Sequence, residues 1–352
     1  MEDKTQNRPH HDASDSGGLS KEVLHHDKAF QTLYRHSGLI ERASKIEKAI
    51  QDFIQENMGQ PEILYQAANH LILAGGKRTR SLLSLLACEA VDGDIERALP
   101  LTIAAELLQT ASLIHDDIID AGTTRRGVEA VHEKYGDHIA ILAGDLLIAK
   151  AIEMIGEHGT TELLRHIGNG GVRMCEGEAI DLALSTEKPN VYSKDQYFKM
   201  IELKTVAFLS ESARLGAMMG EGNEKQVEAL SEFGEYLGYA FQIQDDVLDL
   251  RASIEEIGKS PFADLKTRRS NFLLVHSLET SDNSTRKSIC DALDKGQYEQ
   301  AANLVFATGA EEEAKKIAKE YVEKAKKVLK KEELQKIELL FEFADSVVSR
   351  QR

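Results

Sequence analysis

The chain has 352 residues, 59 acidic and 43 basic, so its formal charge at pH 7 is −16. That balance argues against nucleic-acid binding, which draws on a basic surface. Apolar residues at 42% supply a real core, and the absence of Trp with only five Pro favours an all-helical chain. The three cysteines (Cys88, Cys175, Cys290) stand far apart and form no Cys-x-x-Cys pair. This excludes a disulfide framework and a standard structural zinc site, and it fits a reducing, cytoplasmic setting. No apolar run reaches the roughly 18 residues that a membrane span needs; the greasiest, Ile139 to Ala149, is broken by Asp145. An apolar leader segment is absent from the N-terminal residues as well.

Residues 1–36 are polar and His-rich and read as a flexible N-terminal extension. From residue 37 to 352 there is no linker-like break, so the remainder is expected to be one all-helical domain. The 3.6-residue period predicts helices over 39–57, 61–73, 79–91, 100–120, 137–156, 161–184, 194–219, 225–250 and 314–347. Pro61, Pro100, Pro189 and Pro261 are expected where helices start or stop. No alternating strand pattern emerges. The expected fold is all-α: a single bundle of about ten or more helices around a central cavity.

Two helices end in the same pattern, Asp-Asp-x-x-Asp: Asp116, Asp117 and Asp120, then Asp245, Asp246 and Asp249. By composition alone about 0.08 such clusters are expected in the chain. Positions i and i+4 share a helix face, so Asp116 lies over Asp120 and Asp245 over Asp249. Like charges on otherwise apolar helices repel unless a cation neutralises them. Hard carboxylate oxygens suit Mg²⁺ or Mn²⁺, which bridge one or two carboxylates to phosphate oxygens. Basic elements surround the clusters in the sequence. Gly75-Gly76-Lys77-Arg78-Thr79-Arg80 opens a helix after a glycine turn, a seat for a diphosphate. Arg125-Arg126-Gly127 follows the first cluster, Lys204-Thr205 lies within an apolar helix, and Gly258-Lys259 follows the second cluster.

Taken together, these motifs resemble those of the all-trans polyprenyl diphosphate synthases, over about nine-tenths of the chain. The resemblance implies a Mg²⁺-dependent prenyltransferase that joins isopentenyl diphosphate to an allylic diphosphate, with a homodimeric assembly and weak membrane association for product release. It implies that the two clusters hold three Mg²⁺ on the allylic diphosphate, which Arg125, Lys204 and Lys259 also grip. Lys77, Arg80, Gln109 and Arg126 match isopentenyl diphosphate positions, and Thr205 and Gln242 match positions facing the allylic cation. Arg269 stands where the family commonly has Lys, and Asn271 where Thr is common. Leu108, Ala111 and Ser112 lie upstream of Asp116 on the chain-length-measuring helix. Ala111 and Ser112 are small, which points to a long-chain product. A floor supplied by Leu147 or Met154 would instead give a geranylgeranyl or geranylfarnesyl product.

Three rival readings fit less well. A His-Asp phosphohydrolase, prompted by His115-Asp116, leaves the second cluster unexplained. Terpene cyclases usually lack the Gly-Gly-Lys-Arg element, and non-catalytic subunits of heteromeric synthases typically lose one or both of the clusters, whereas both are intact here.

Overall fold

The computed structural model describes residues 34, 36–185, 193–251 and 262–349. In chain order the helices are α1 (Ser37–Glu56), α2 (Glu62–Leu73), α3 (Thr79–Ala90), α4 (Ile95–Ile119), α5 (Val131–Tyr135), α6 (Asp137–His158), α7 (Thr161–Ser185) and α8 (Lys194–Ile201). A π-helical turn, Glu202–Val206, joins α8 to α9 (Ala207–Met219). There follow α10 (Glu224–Arg251), α11 (Ala263–Thr267), α12 (Phe272–Thr280), α13 (Asn283–Asp294), α14 (Tyr298–Phe306), α15 (Ala310–Leu329) and α16 (Ile337–Val348). The one sheet among the described residues is a two-residue antiparallel ribbon, Thr124–Arg125 against Val128–Glu129.

The long helices pack in a series of neighbours: α6 on α4, α4 on α3, α3 on α9, α9 on α10 and α10 on α15. α3 is the centre of this series. Its residues from Ser81 to Ala90 are all buried, and burying each Leu side chain contributes about 1.5–3 kcal/mol. α10 packs closely because Gly234 and Gly238 carry no side chain. A Cβ on Gly234 would lie 2.6 Å from the Leu209 carbonyl oxygen, and one on Gly238 would lie 2.8 Å from the Val206 Cα. Gly234 therefore serves close approach of α10 to α9, and Gly238 its close approach to the π turn, rather than open space. Among the described residues no helix is long and apolar enough to cross a membrane.

Three expected boundaries are corrected. α4 starts at Ile95, and Pro100 lies inside it. The Asp94 carboxylate accepts the Glu96 N–H (2.9 Å) and caps the helix ahead of the proline, so Pro100 removes one donor without ending the helix. The expected helix over 194–219 is interrupted by the π turn. The expected helix over 314–347 is two helices, because the chain breaks off to touch the end of α3. There the Gln335 N–H donates to the Ala90 carbonyl (2.7 Å) and Lys336 Nζ to Glu89 Oε1 (2.7 Å). Of the expected N-terminal extension, Tyr34 is buried and its hydroxyl donates to the Lys77 carbonyl (2.8 Å); His36 caps α1. The remaining residues of that segment lie outside the described residues, as do Pro189, Pro261 and Lys259.

Candidate active site

The first aspartate cluster closes α4: Asp116 and Asp117 occupy its last turn and Asp120 caps it. Asp117 is 1% exposed, and its Oδ1 accepts from Arg125 Nε (2.9 Å) and Nη2 (2.5 Å). Arg125 reaches it from the short ribbon, whose turn uses Arg126 and Gly127 at positive φ. Arg126 turns the other way. Its Nη1 donates to the Leu71 carbonyl (2.7 Å), and a Cβ on Gly76 would lie 3.1 Å from its guanidinium carbon. Only glycine, also at positive φ here, leaves room for that side chain. The two basic motifs, separate in sequence, thus meet. Beside them Lys77 is exposed, and the Arg80 guanidinium lies 4.9 Å from the Phe208 ring centre on α9. Between those two, Arg78 points into the core. It is 2% exposed and bonds Glu47 (2.8 Å), Glu106 (3.1 Å) and the Ile72 carbonyl (2.9 Å).

Lys204 and Thr205 sit in the π turn, a local widening of the helix that often re-aims side chains at functional sites. Gly177 on α7 lets that turn press against it, since a Cβ there would lie 2.4 Å from the Lys204 backbone nitrogen. Lys204 Nζ lies 2.7 Å from Asp181 Oδ2 and 2.6 Å from Glu178 Oε2, both on α7. Thr205 Oγ1 donates to Gln242 Oε1 (2.7 Å), and Gln242 Nε2 donates to Asp246 Oδ1 (2.8 Å). Asp246 is 1% exposed and also accepts from the Tyr197 hydroxyl (2.8 Å) and the Phe272 N–H (2.7 Å) at the start of α12. In the same region the Asp264 N–H donates to Asp249 Oδ2 (3.2 Å). Asn271 caps α12 and donates to Asp264 Oδ2 (3.1 Å) and to the Asp246 carbonyl (3.2 Å).

Arg269 closes the ring between the clusters. Its Nε donates to Asp120 Oδ1 (3.0 Å), its Nη1 to Asp181 Oδ2 (2.9 Å), and its Nη2 lies 2.9 Å from Glu178 Oε1. One connected path therefore runs from Asp120 through Arg269, Asp181, Lys204 and Thr205 to Gln242 and Asp246.

The protonation of these groups follows from burial and neighbours. Burial pushes the Asp116 carboxyl up to about 7, against the opposing pull of Lys204. Asp117 is raised by burial and partly restored by Arg125. Asp246 is raised well above the usual carboxylate range by burial and by Asp264. Burial alone would lower the Lys204 ammonium, but Asp181, Glu178 and Asp116 more than reverse that and keep it charged. Arg126 is pulled down to about 10 by burial and by the nearby Arg78.

A family model described as polyprenyl synthetase matches residues 61–331. The chain belongs to the polyprenyl synthetase family. It is similar to a short chain isoprenyl diphosphate synthase of Methanothermobacter thermautotrophicus, 37% identical over 299 residues, covering 83% of this chain and 91% of that one. A geranylgeranyl diphosphate synthase of Methanosarcina mazei is 33% identical over 321 residues, covering 88% and 96%. Among solved structures, a polyprenyl synthase from Caulobacter crescentus, complexed with calcium and isoprenyl diphosphate, superposes with a TM-score of 0.83 at 28% identity, covering 89% and 97%. The bundle described above is the fold of these polyprenyl synthetases, which are trans-prenyltransferases.

These relatives are named for short products, which does not support the long-chain expectation drawn from Ala111 and Ser112. Ala111 is 1% exposed, so its small side chain serves packing within the bundle. Ser112 is half-buried and its hydroxyl donates to the Gln109 carbonyl (2.9 Å). Leu108 and Gln109 are half-buried on the same helix. A cavity of about 430 Å³ lies further along α4, lined by Phe53, Ile103, Met154 and four carboxylates, Asp52, Glu56, Glu153 and Glu157.

Among the described residues no three His, Cys, Asp or Glu side chains converge as a ready-made metal cage. The donor set nonetheless fits Mg²⁺, which retains waters and binds through few carboxylates plus phosphate oxygens. Asp117 Oδ2 and Asp181 Oδ1 are buried with no hydrogen-bond partner, and such oxygens normally have one. Glu178, Asp181 and Tyr197 were not among the candidate residues. A Glu-x-x-Asp pair directly after a mid-helix glycine was the available signal for the first two.

Proposed function

We propose that this chain condenses isopentenyl diphosphate with an allylic diphosphate to give geranylgeranyl or geranylfarnesyl diphosphate. The observation that carries the proposal is the polar path between the two Asp-Asp-x-x-Asp clusters, charged from Asp120 through Arg269 and Asp181 to Lys204 and neutral from Thr205 through Gln242 to Asp246. Asp116, Asp117, Asp120, Asp245, Asp246 and Asp249 would hold Mg²⁺. When bound, that ion neutralises the charge that grows on a departing diphosphate. Lys204, Arg125 and Arg269 would bind the same diphosphate, and fixed cations at a developing charge lower the barrier because they need no reorganisation. Thr205 and Gln242, locked to each other at 2.7 Å, would orient oxygen dipoles toward the allylic carbon. Lys77, Arg80 and Arg126 form a separate basic group, suited to isopentenyl diphosphate. Gln109 on α4 is assigned to the same substrate.

Product length follows from reach along α4. Ile103 lies thirteen residues before Asp116, about 20 Å at 1.5 Å per residue. Phe53, Ile103 and Met154 line the cavity there together with charged side chains, among them Glu56, Lys150 and Glu153, a lining that would not favour a hydrocarbon tail passing further. That reach is on the scale of a geranylgeranyl or geranylfarnesyl chain, and a decaprenyl chain exceeds it.

Incubating the purified protein with Mg²⁺, isopentenyl diphosphate and farnesyl diphosphate, then sizing the products, tests both parts. Absence of any elongated product from folded protein would overturn the reaction. Phe53→Ala and Met154→Ala are expected to lengthen the product and Ser112→Phe to shorten it; an unmoved distribution in all three would overturn the account of length.

The partner expected for this chain is a second copy. α6 exposes Ile141, Leu142 and Ile152, and α7 exposes Leu164, Val172 and Leu182. On α7 these recur along one stripe with Gly168 and Ala179. Exposed apolar side chains repeated along one helix face suit an interaction site. Sedimentation at micromolar concentration should show a dimer, and Val172→Glu should shift it to a monomer.

A further inference from the structure

The acidic pair on α7 lies outside both aspartate clusters, yet it contacts two of the cations assigned to the diphosphate. Asp181 is 3% exposed. Its Oδ2 accepts from Lys204 Nζ at 2.7 Å and from Arg269 Nη1 at 2.9 Å. Glu178, one turn earlier on the same helix face, places Oε2 2.6 Å from Lys204 Nζ and Oε1 2.9 Å from Arg269 Nη2. Each carboxylate thus touches both cations. The spacing is held by backbone, because Gly177 brings α7 into direct contact with the π turn. Arg269 is then extended to Asp120, so its fork spans α7 and the end of α4.

Free Lys and Arg side chains carry large rotamer entropy, which must be lost before they can act as fixed charges. Two buried carboxylates that share both cations remove that entropy during folding. The arrangement also has a cost for the ligand: until a diphosphate arrives, its two cations are already engaged.

We propose that Glu178 and Asp181 are positioning residues that hold Lys204 Nζ and the Arg269 guanidinium as a preset pair for the departing diphosphate. This inference rests on the reaction proposed above. It assigns the carboxylates no bond to substrate; they act through the two cations and compete with the diphosphate for them.

The isosteric variants Glu178→Gln and Asp181→Asn, singly and together, test it with two readouts. In steady-state turnover, kcat should fall about 10- to 100-fold while KM for isopentenyl diphosphate stays within about threefold, since the Lys77–Arg80–Arg126 group is untouched. In calorimetry without any divalent ion, inorganic diphosphate should bind the double variant about tenfold more tightly than the parent, because the competing carboxylates are gone. A purely structural role predicts neither change once the melting temperature is matched. The proposal is overturned by kcat within twofold of the parent in the double variant, and equally by metal-free diphosphate binding that is unchanged or weaker. If the parent itself makes no elongated product, the reaction assignment fails, and the calorimetric comparison still decides the competition for the cations. Should the double variant not fold, Glu178→Gln alone carries both measurements, with Asp181 left in place.

Discussion

The two aspartate clusters share one sequence pattern and sit in opposite chemical surroundings. Asp117 and Asp120, at the end of α4, are matched by guanidinium groups, Arg125 and Arg269. In the second cluster, Asp246 is held by neutral donors: the Tyr197 hydroxyl, the Gln242 amide and the Phe272 N–H at the start of α12. Arg125 is partly exposed and can turn toward an arriving phosphate, leaving Asp117 available, whereas Arg269 is held between α7 and the end of α4. Neutral donors buried in the core cannot move away without an energetic loss, since each would be left unsatisfied. The first cluster is therefore built to exchange partners and the second to stay fixed, and the same motif does both because the surrounding elements differ.

Truncation separates the two most sharply. Asp117→Ala and Asp246→Ala should each lower kcat/KM by about a thousandfold or more, near 4 kcal/mol of transition-state stabilisation. Their stabilities should diverge. Asp246→Ala strands two buried donors, the Tyr197 hydroxyl and the Phe272 N–H, and a half-buried one on Gln242, and should cost about 3–5 kcal/mol. Asp117→Ala frees Arg125, which is partly exposed and can rehydrate, and should cost about 1 kcal/mol. Urea unfolding beside product assays reads both; equal destabilisation would erase the distinction.

A smaller change probes each cluster through its partner. Arg269→Lys keeps the charge but loses the fork that joins Asp120 to Asp181. Turnover should fall about tenfold with stability nearly unchanged. Tyr197→Phe removes one hydrogen bond from buried Asp246 and should cost about 1–2 kcal/mol, seen as a lower urea midpoint. If the Arg269 substitution destabilised the fold more than the Tyr197 one, the first cluster would be the rigid partner.

The contrast between the clusters also shows what could be read in advance. The aspartate patterns are local: both triplets lie within one helix each, so periodicity and composition were enough to single them out. The long helices were legible for the same reason. Glu178 and Asp181 look like one more solvated acidic face until residues 23 and 88 positions away arrive beside them. Arg78 stands in the same basic motif as Lys77 and Arg80, and its burial against Glu47 and Glu106 is set by α1 and α4, which no local pattern shows. Neither the π turn at Lys204 nor the break after Leu329 is written in helix propensity. The first follows from close packing by Gly177 and Gly238, the second from the contact with the end of α3.

The smallest expected effect concerns pH, and it turns on the raised Asp116 carboxyl. Its ordinary value is 3.8 and burial moves it up to about 7 in the ligand-free fold. A carboxyl raised on folding favours the folded state while protonated. Its contribution is complete below the unfolded value and is lost as pH rises through the folded value. The metal-free protein should therefore lose stability from this group between about pH 4 and pH 7. Asp116→Asn, which never ionises, should flatten that decline. Partial exposure weakens the effect, so a difference of about 2 °C in melting temperature between pH 5 and pH 8 is the scale expected. Mg²⁺ favours the ionised form and should stabilise the parent more at pH 8 than at pH 5, with the variant showing a smaller gap. A variant whose pH profile parallels the parent's would mean that Asp116 is already ionised, and that the first cluster meets its metal with its full charge exposed.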